Sequence, residues 1–304
     1  MGPLFFLLYV NDMVRASGEL GFVLFADDTN LFAEGGDPVE LFGKVNRGLG
    51  ELGRWFRCNR ITLNLKKTEY VYFSRTRPPE VPLGGLEFEG EQIRRVEGTR
   101  FLGVWIDAGL NWRGHIGQVG TKVRQLLGVL GRIRADLDEH LLLSLYNSML
   151  LPHLQYCLMV WGDFEAGRNG AYGETLLKLQ KRFVGLIAGK RGRYHADPLF
   201  ARYGVLKVGD LYRQQLRLHA WKFWNGRLPG GQMATLRRVD GSHGYGTRSA
   251  RSGLVVGSGN HRLVAYRVPA EWRTLTEEQR GMGSVGGFKR SSRGDFLVQY
   301  GLFQ

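Results

Sequence analysis

Hydrophobic and polar positions predict a mixed strand-and-helix pattern in the first part of this chain and a helical one beyond about residue 111. In the first part, two short runs rich in aromatic and β-branched residues, 22–25 and 29–33, flank Ala26-Asp27-Asp28. They predict two strands joined by a tight connection, with the aspartates at a hairpin tip. Asp37, Pro38 and Glu40 then carry the signature of a helix start: a cap, a proline in the first turn and a carboxylate three positions after the cap. Val39, Phe42, Val45, Leu49, Leu52, Trp55 and Phe56 follow at helical spacing, so this helix is expected to pack beneath the sheet. Strand-like stretches at 69–74, 86–89 and 101–106, broken by Pro78-Pro79 and Gly84-Gly85, complete the expectation of an antiparallel α+β unit. The apolar run 4–10 is short, has no basic stretch before it and runs into Asn11-Asp12. It predicts a buried helix, not a signal or a membrane span.

Beyond Trp112 the pattern becomes helical. Val119, Val123, Leu126, Leu127, Leu130 and Ile133 predict a helix over 116–133, and Asp138 caps a second that is expected to stop before Pro152. Further helices are expected at 173–188 and 208–225. After Gly226 the sequence turns basic and glycine-rich, as in Gly230-Gly231 and the stretches 241–246 and 281–287, which predicts a partly mobile tail.

With 304 residues, 43% of them hydrophobic, the chain has enough apolar surface for two folded units with a loose end. Charge sharpens the picture. Lys and Arg number 42 against 28 Asp and Glu, and residues 178–304 hold 23 basic but only 7 acidic side chains. The carboxy-terminal part therefore carries the whole positive excess, as expected of a region that tracks phosphates with salt-dependent affinity. Lys181, Arg182, Lys190, Arg191 and Arg193 are the candidate nucleic-acid contacts. Tyr194 stands beside them, where it can stack on an unpaired base. Trp221-Lys222-Phe223-Trp224 reads first as helical core and second as a stacking platform. Cys58 and Cys157 are too few for a disulfide framework and read as reduced core thiols of an intracellular protein, nuclear or cytoplasmic. Although His153 lies near Cys157, the pair lacks the further ligands of a zinc site.

An isolated Asp-Asp is ordinary turn chemistry. At a hairpin tip, however, two adjacent anions repel each other, and a hard divalent ion that takes oxygen ligands relieves that repulsion. The order of the surrounding segments adds to this. Gly2-Pro3-Leu4-Phe5-Phe6-Leu7-Leu8-Tyr9-Val10-Asn11-Asp12, then Phe25-Ala26-Asp27-Asp28, resemble successive palm motifs of the reverse transcriptases of LINE-type non-LTR retrotransposons. Leu63-Asn64-Leu65-Lys66-Lys67-Thr68 with Val71-Tyr72-Phe73, and Phe101-Leu102-Gly103-Val104-Trp105-Ile106-Asp107, are similar to the next two. Leu151-Pro152-His153-Leu154-Gln155-Tyr156-Cys157 and Pro269-Ala270-Glu271-Trp272 resemble stretches of the family's carboxy-terminal region.

The resemblance implies an α+β partial polymerase palm over 1–111, a helical thumb-like region over 112–226 and an irregular basic tail over 227–304. It implies two-metal nucleotidyl transfer with Mg2+, or Mn2+ in its place, held by Asp27 and Asp28, and Lys67 as proton donor to the departing pyrophosphate. Phe101, Leu102 and Gly103 would form the primer grip, and the partners would be an RNA template, a DNA primer and deoxynucleotides. No membrane partner is expected, and no pattern speaks to oligomeric state. The family's palm carries another metal-binding aspartate upstream of the point where this chain begins, and Asp12 does not match it. The expected protein is thus a carboxy-terminal polymerase part that does not polymerise unaided. Two other readings stay open: a non-catalytic nucleic-acid-binding remnant, and the translation of a decayed element with no selected role.

Overall fold

In a computed structural model the chain divides into two compact units, Met1–Leu110 and Asn111–Gln304. The described residues are 1–74, 84–164, 170–228, 236–238, 254–256 and 264–301, so Pro78-Pro79, Gly230-Gly231 and the 241–246 stretch lie outside them.

The first unit opens with helix α1 (Gly2–Val10) and a 3-10 turn, followed by an antiparallel hairpin of β1 (Gly21–Phe25) and β2 (Asp28–Phe32). Helix α2 (Pro38–Cys58) starts where its capping residues predict, with the Asp37 carboxylate accepting from the Glu40 amide at 2.8 Å. Short strands follow: β3 (Glu69–Tyr70), β4 (Glu87–Phe88), β5 (Glu91–Gln92), β6 (Arg94–Arg95), β7 (Gly98–Phe101) and β8 (Val104–Asp107). Phe42, Leu49, Leu52 and Phe56 along one face of α2 bury against Val10, Met13, Leu86, Phe88 and Ile93, with Phe22, Leu24 and Leu31 of the hairpin packed on the same cluster. The helix does lie against the hairpin. Gly48 permits the approach, because a Cβ there would stand 2.5 Å from Leu20.

Four expectations for this unit need correction. Val39 has the right spacing but sits at the helix start beyond the reach of the cluster, and it is exposed. The strands do not form one antiparallel sheet. They make two-stranded ladders, among which β3 and β6 run parallel. Segment 101–106 is not a single strand but the turn and flanks of the β7–β8 hairpin. Helix α1 is not buried either. It is apolar on every side, so it offers no preferred face, and only Val10 enters the core while Leu4 to Tyr9 remain exposed, Leu8 at 66%. Its end is tied to α2 where the Tyr9 hydroxyl donates to the Asn59 carbonyl.

The second unit is mostly helical: α3 (Arg113–Arg132), α4 (Glu139–Leu145), α5 (Leu151–Gln155), α6 (Leu158–Trp161), α7 (Gly170–Ile187), α8 (Asp197–Arg202) and α9 (Val208–Trp224). A small antiparallel ladder of β9 (Leu236–Arg238) and β10 (Leu254–Val256) precedes α10 (Val264–Arg273), α11 (Glu277–Gly281) and α12 (Val285–Gly301). Asp138 caps α4 as its side chain accepts from the Leu141 amide, but the helical path does not stop before Pro152. It passes through a π-helical turn over Tyr146–Leu150 into α5, whose first turn takes the proline where no intrahelical N–H is needed.

Gln180 sits at the centre of this unit, fully buried and fully bonded. Its Nε2 donates to the Tyr146 hydroxyl at 2.9 Å and to the Leu206 carbonyl at 3.1 Å, and its Oε1 accepts from the Val208 amide at 2.7 Å. These bonds fix α7 against the start of α9. Arg217 of α9 is buried too, donating to Glu271 of α10 and Asp295 of α12, each at 2.9 Å, with its guanidinium 4.4 Å from the Phe296 ring centre. Trp221 stacks on Phe288 and Trp224 lies 5.1 Å from Trp272, so the aromatic cluster of α9 is core.

The carboxy-terminal region therefore departs from expectation. Its residues 264–301 are largely helical and built into the core through Val268, Trp272, Leu275, Phe288, Phe296 and Tyr300. Glycine content gave the wrong signal there, because helically spaced aromatics and buried ion pairs outweigh the weak propensity of a few glycines. Cys58 is likewise not a core thiol. It ends α2 in an exposed position, and Cys157 is half-buried. Among the described residues no helix is long and apolar enough to cross a membrane.

Candidate functional site

The acidic hairpin is built by its register. Phe25 pairs with Asp28, which leaves Ala26 and Asp27 as a two-residue connection. Ala26 adopts φ 52°, the positive value that a primed hairpin turn requires at its first central position, where glycine is the usual occupant. Directly paired residues share a face, so Asp28 lies with Phe25, Val23 and Phe32 on the outer side, while Phe22, Leu24 and Leu31 face α2. Asp27 occupies the tip. Both carboxylates are exposed, and among the described residues neither makes an ion pair or side-chain hydrogen bond. On the inner face the Thr29 hydroxyl lies 3.8 Å from the Met13 sulfur, and at the hairpin base Gly21 accommodates the Phe32 ring, which would stand 2.2 Å from a Cβ.

Two adjacent carboxylates free to turn toward solvent are suitable donors for a hard cation that retains water and substrate oxygens. Among the described residues no group of three or more His, Cys, Asp or Glu side chains is placed to hold a metal ion. The donor set therefore fits one weakly held ion better than a closed two-ion cage.

Lys67 lies in an exposed turn just before β3, its amide donating to the Asn64 carbonyl at 3.0 Å. Among the described residues no hydrogen bond or ion pair joins its side chain to either aspartate. Phe101, Leu102 and Gly103 come together at the β7–β8 hairpin, where Leu102 (φ 44°) and Gly103 (φ 83°) are the two turn residues. Gly103 thus serves the turn. This hairpin is anchored at its base: Thr99 donates to Glu69 at 2.6 Å, and Glu69 also pairs with Arg94 at 2.9 Å.

Of the basic candidates, Arg182, Lys190 and Arg191 line one cavity of about 690 Å³ in the second unit, and Lys181 and Arg193 do not. The cavity also draws in Arg132 and Arg134 from the end of α3 and the turn after it, which the sequence did not single out. A basic residue in the last turn of a helix was the available signal, but nothing local links residue 132 to residue 182. Tyr194 closes one side. Its hydroxyl donates to the Lys181 carbonyl at 2.8 Å, and partial burial pushes the phenol above its ordinary pKa.

No family model matches the chain, and no solved structure matches it. The chain is similar to an RNA-directed DNA polymerase from the mobile element jockey of Drosophila funebris, with 23% identity over 228 residues. The match takes in 70% of this chain but only 24% of that protein, so the chain spans about a quarter of its relative's length. This is a distant relationship to a mobile-element RNA-directed DNA polymerase, and it extends across most of the present sequence.

Proposed function

We propose that the chain is the late-palm and thumb-like part of a non-LTR retrotransposon reverse transcriptase, with the β1–β2 tip as its metal-bearing element. The observation that carries this reading is the hairpin register, in which an aromatic-Ala-Asp-Asp segment presents Asp27 at the tip and Asp28 beside it. Asp27 is the first ligand for Mg2+ or Mn2+ and Asp28 the supporting carboxylate. When bound, such an ion activates the attacking oxygen and stabilises the leaving one. The Phe101–Gly103 turn would hold a primer end, and Lys67 would supply a proton once substrate draws it near. RNA template, DNA primer and deoxynucleotides are partners of the complete enzyme.

The donor count supports a further part of the proposal, that this polypeptide does not polymerise by itself. Primer extension on an RNA template with purified chain, deoxynucleotides and Mg2+ is expected to give no product, and steady extension would overturn this part. Mn2+ binding followed by electron paramagnetic resonance is expected to be weak in the unmodified chain and lost in Asp27→Ala. Equal binding by both would remove the hairpin from the metal site. The second reading, a non-catalytic nucleic-acid-binding remnant, draws on the cation-lined cavity of the second unit. It expects no metal binding at all and RNA affinity unaffected by Asp27→Ala.

A further inference from the structure

The cations of the second unit fall into two groups. Arg202 pairs with Glu139, Lys207 with Asp197, Arg213 and Arg217 with Glu271, and Arg267 with Asp163, all at 2.8 to 3.0 Å. Arg132, Arg182, Lys190 and Arg191 instead converge on the 690 Å³ cavity, no carboxylate lines it, and none of the four belongs to an ion pair among the described residues. Like charges gathered in a concavity raise a local potential of several kT that draws in anions.

The backbone around the cavity is arranged to keep that potential positive. Helix α7 ends there, and its last carbonyls would place the negative end of the helix dipole against an incoming anion. Arg134 covers them by donating to the Leu186 carbonyl at 2.7 Å and the Ile187 carbonyl at 3.1 Å. The loop after α7 turns through Gly189 (φ 63°) and Gly192 (φ 73°), with the Lys190 amide donating to the Gly185 carbonyl at 2.9 Å. That turn folds Lys190, Arg191 and Tyr194 back over the helix. Gly185 makes room for Tyr194, whose hydroxyl would lie 1.9 Å from a Cβ. The cavity therefore has a cationic rim together with the apolar surfaces of Leu186 and Tyr194.

We infer that this cleft binds a nucleic-acid single strand, with phosphates on Arg132, Arg182, Lys190 and Arg191 and an unstacked base against Leu186 and Tyr194. A rim and wall of this kind favour a single strand over a duplex, because only the single strand presents both a backbone and free base faces. The inference deepens the reading above, which supplies nucleic acid as the partner class, and it needs neither the acidic hairpin nor a divalent ion.

The test uses the full chain, EDTA and a fluorescent oligouridine of about 12 nucleotides, within the range of known single-strand sites. Arg132→Gln/Arg182→Gln is expected to weaken binding about tenfold and to reduce the slope of log K against log salt by about 1.4. Lys190→Gln/Arg191→Gln should behave alike, so a folding defect in one variant does not decide the matter. Lys289→Gln/Arg290→Gln removes the same charge from a second basic cavity on α12 and is the control, expected to change affinity less than about twofold if charge alone is not the cause. A duplex of equal length and polyglutamate should both compete poorly. Equal losses in control and cleft variants, or effective competition by duplex or polyglutamate, would overturn the inference. Wild-type binding with both cleft variants unaffected overturns the cleft while the proposed function stands, and no wild-type binding overturns both.

Discussion

Ala26 shows how one residue sets the geometry of the candidate site. Its φ of 52° is a conformation that costs an L-residue about 1–2 kcal/mol, and strain of this kind gathers at functional turns. Ala26→Gly should relieve it and stabilise the first unit by about 0.5–1 kcal/mol after the extra unfolded-state entropy is counted, as read from urea denaturation. His219 has the opposite character. Its Nε2 is buried without a hydrogen-bond partner, and burial, with Lys222 adding repulsion, lowers its pKa below the ordinary imidazole value. The unfolded chain therefore takes up a proton first as pH falls through about 6.5. Stability contributed by neutral His219 is complete above that pH and declines below it until the folded state protonates as well. Denaturation midpoints are expected to fall between about pH 6.5 and 5 and to be flatter in His219→Gln.

Among the elements, the acidic hairpin was the most legible. Strand-forming runs on both sides of a polar pair leave little freedom of register, since a one-residue slip would expose Phe22, Leu24 and Leu31. The α7 loop was less so, because Gly185 and Tyr194 are neighbours only after the chain has turned back on itself. Gly185→Ala places a methyl group where the Tyr194 hydroxyl now lies and should cost about 1–3 kcal/mol. Thermal denaturation measures that cost, and the same variant should weaken oligouridine binding by releasing one wall of the cleft. Helix α1 shows a different limit. Its composition says that it is apolar, but composition carries no information on what covers an apolar helix, and within the described residues only its last turn reaches a core.

At the scale of the molecule, the second unit is held together by residues far apart in sequence. Arg217 joins α9 to Glu271 and Asp295, and its removal leaves two carboxylates without their shared cation. Arg217→Ala is expected to destabilise the second unit by about 3–5 kcal/mol, the usual cost of breaking a buried pair from one side. Limited proteolysis should then cut first within α10–α12. Glu271 and Trp272, singled out by resemblance to a polymerase's carboxy-terminal region, are thus parts of this core. The charge count located the basic half of the chain but not its working face, since it does not say that Arg202, Lys207, Arg213, Arg217 and Arg267 pair with carboxylates while the cleft cations do not.

Local sequence alone determined the acidic hairpin, the capped α2, the switch to helices after residue 111 and the basic bias of the carboxy-terminal half. Each follows from periodicity, capping chemistry or net charge, properties that neighbouring residues carry among themselves. Tertiary structure decided which apolar surfaces were covered, which cations found carboxylates, and that Arg132 would meet Arg182 and Arg191 around one cleft. Those outcomes depend on helices brought together across 50 or more residues, and the free energy that selects such contacts appears only when the whole core closes.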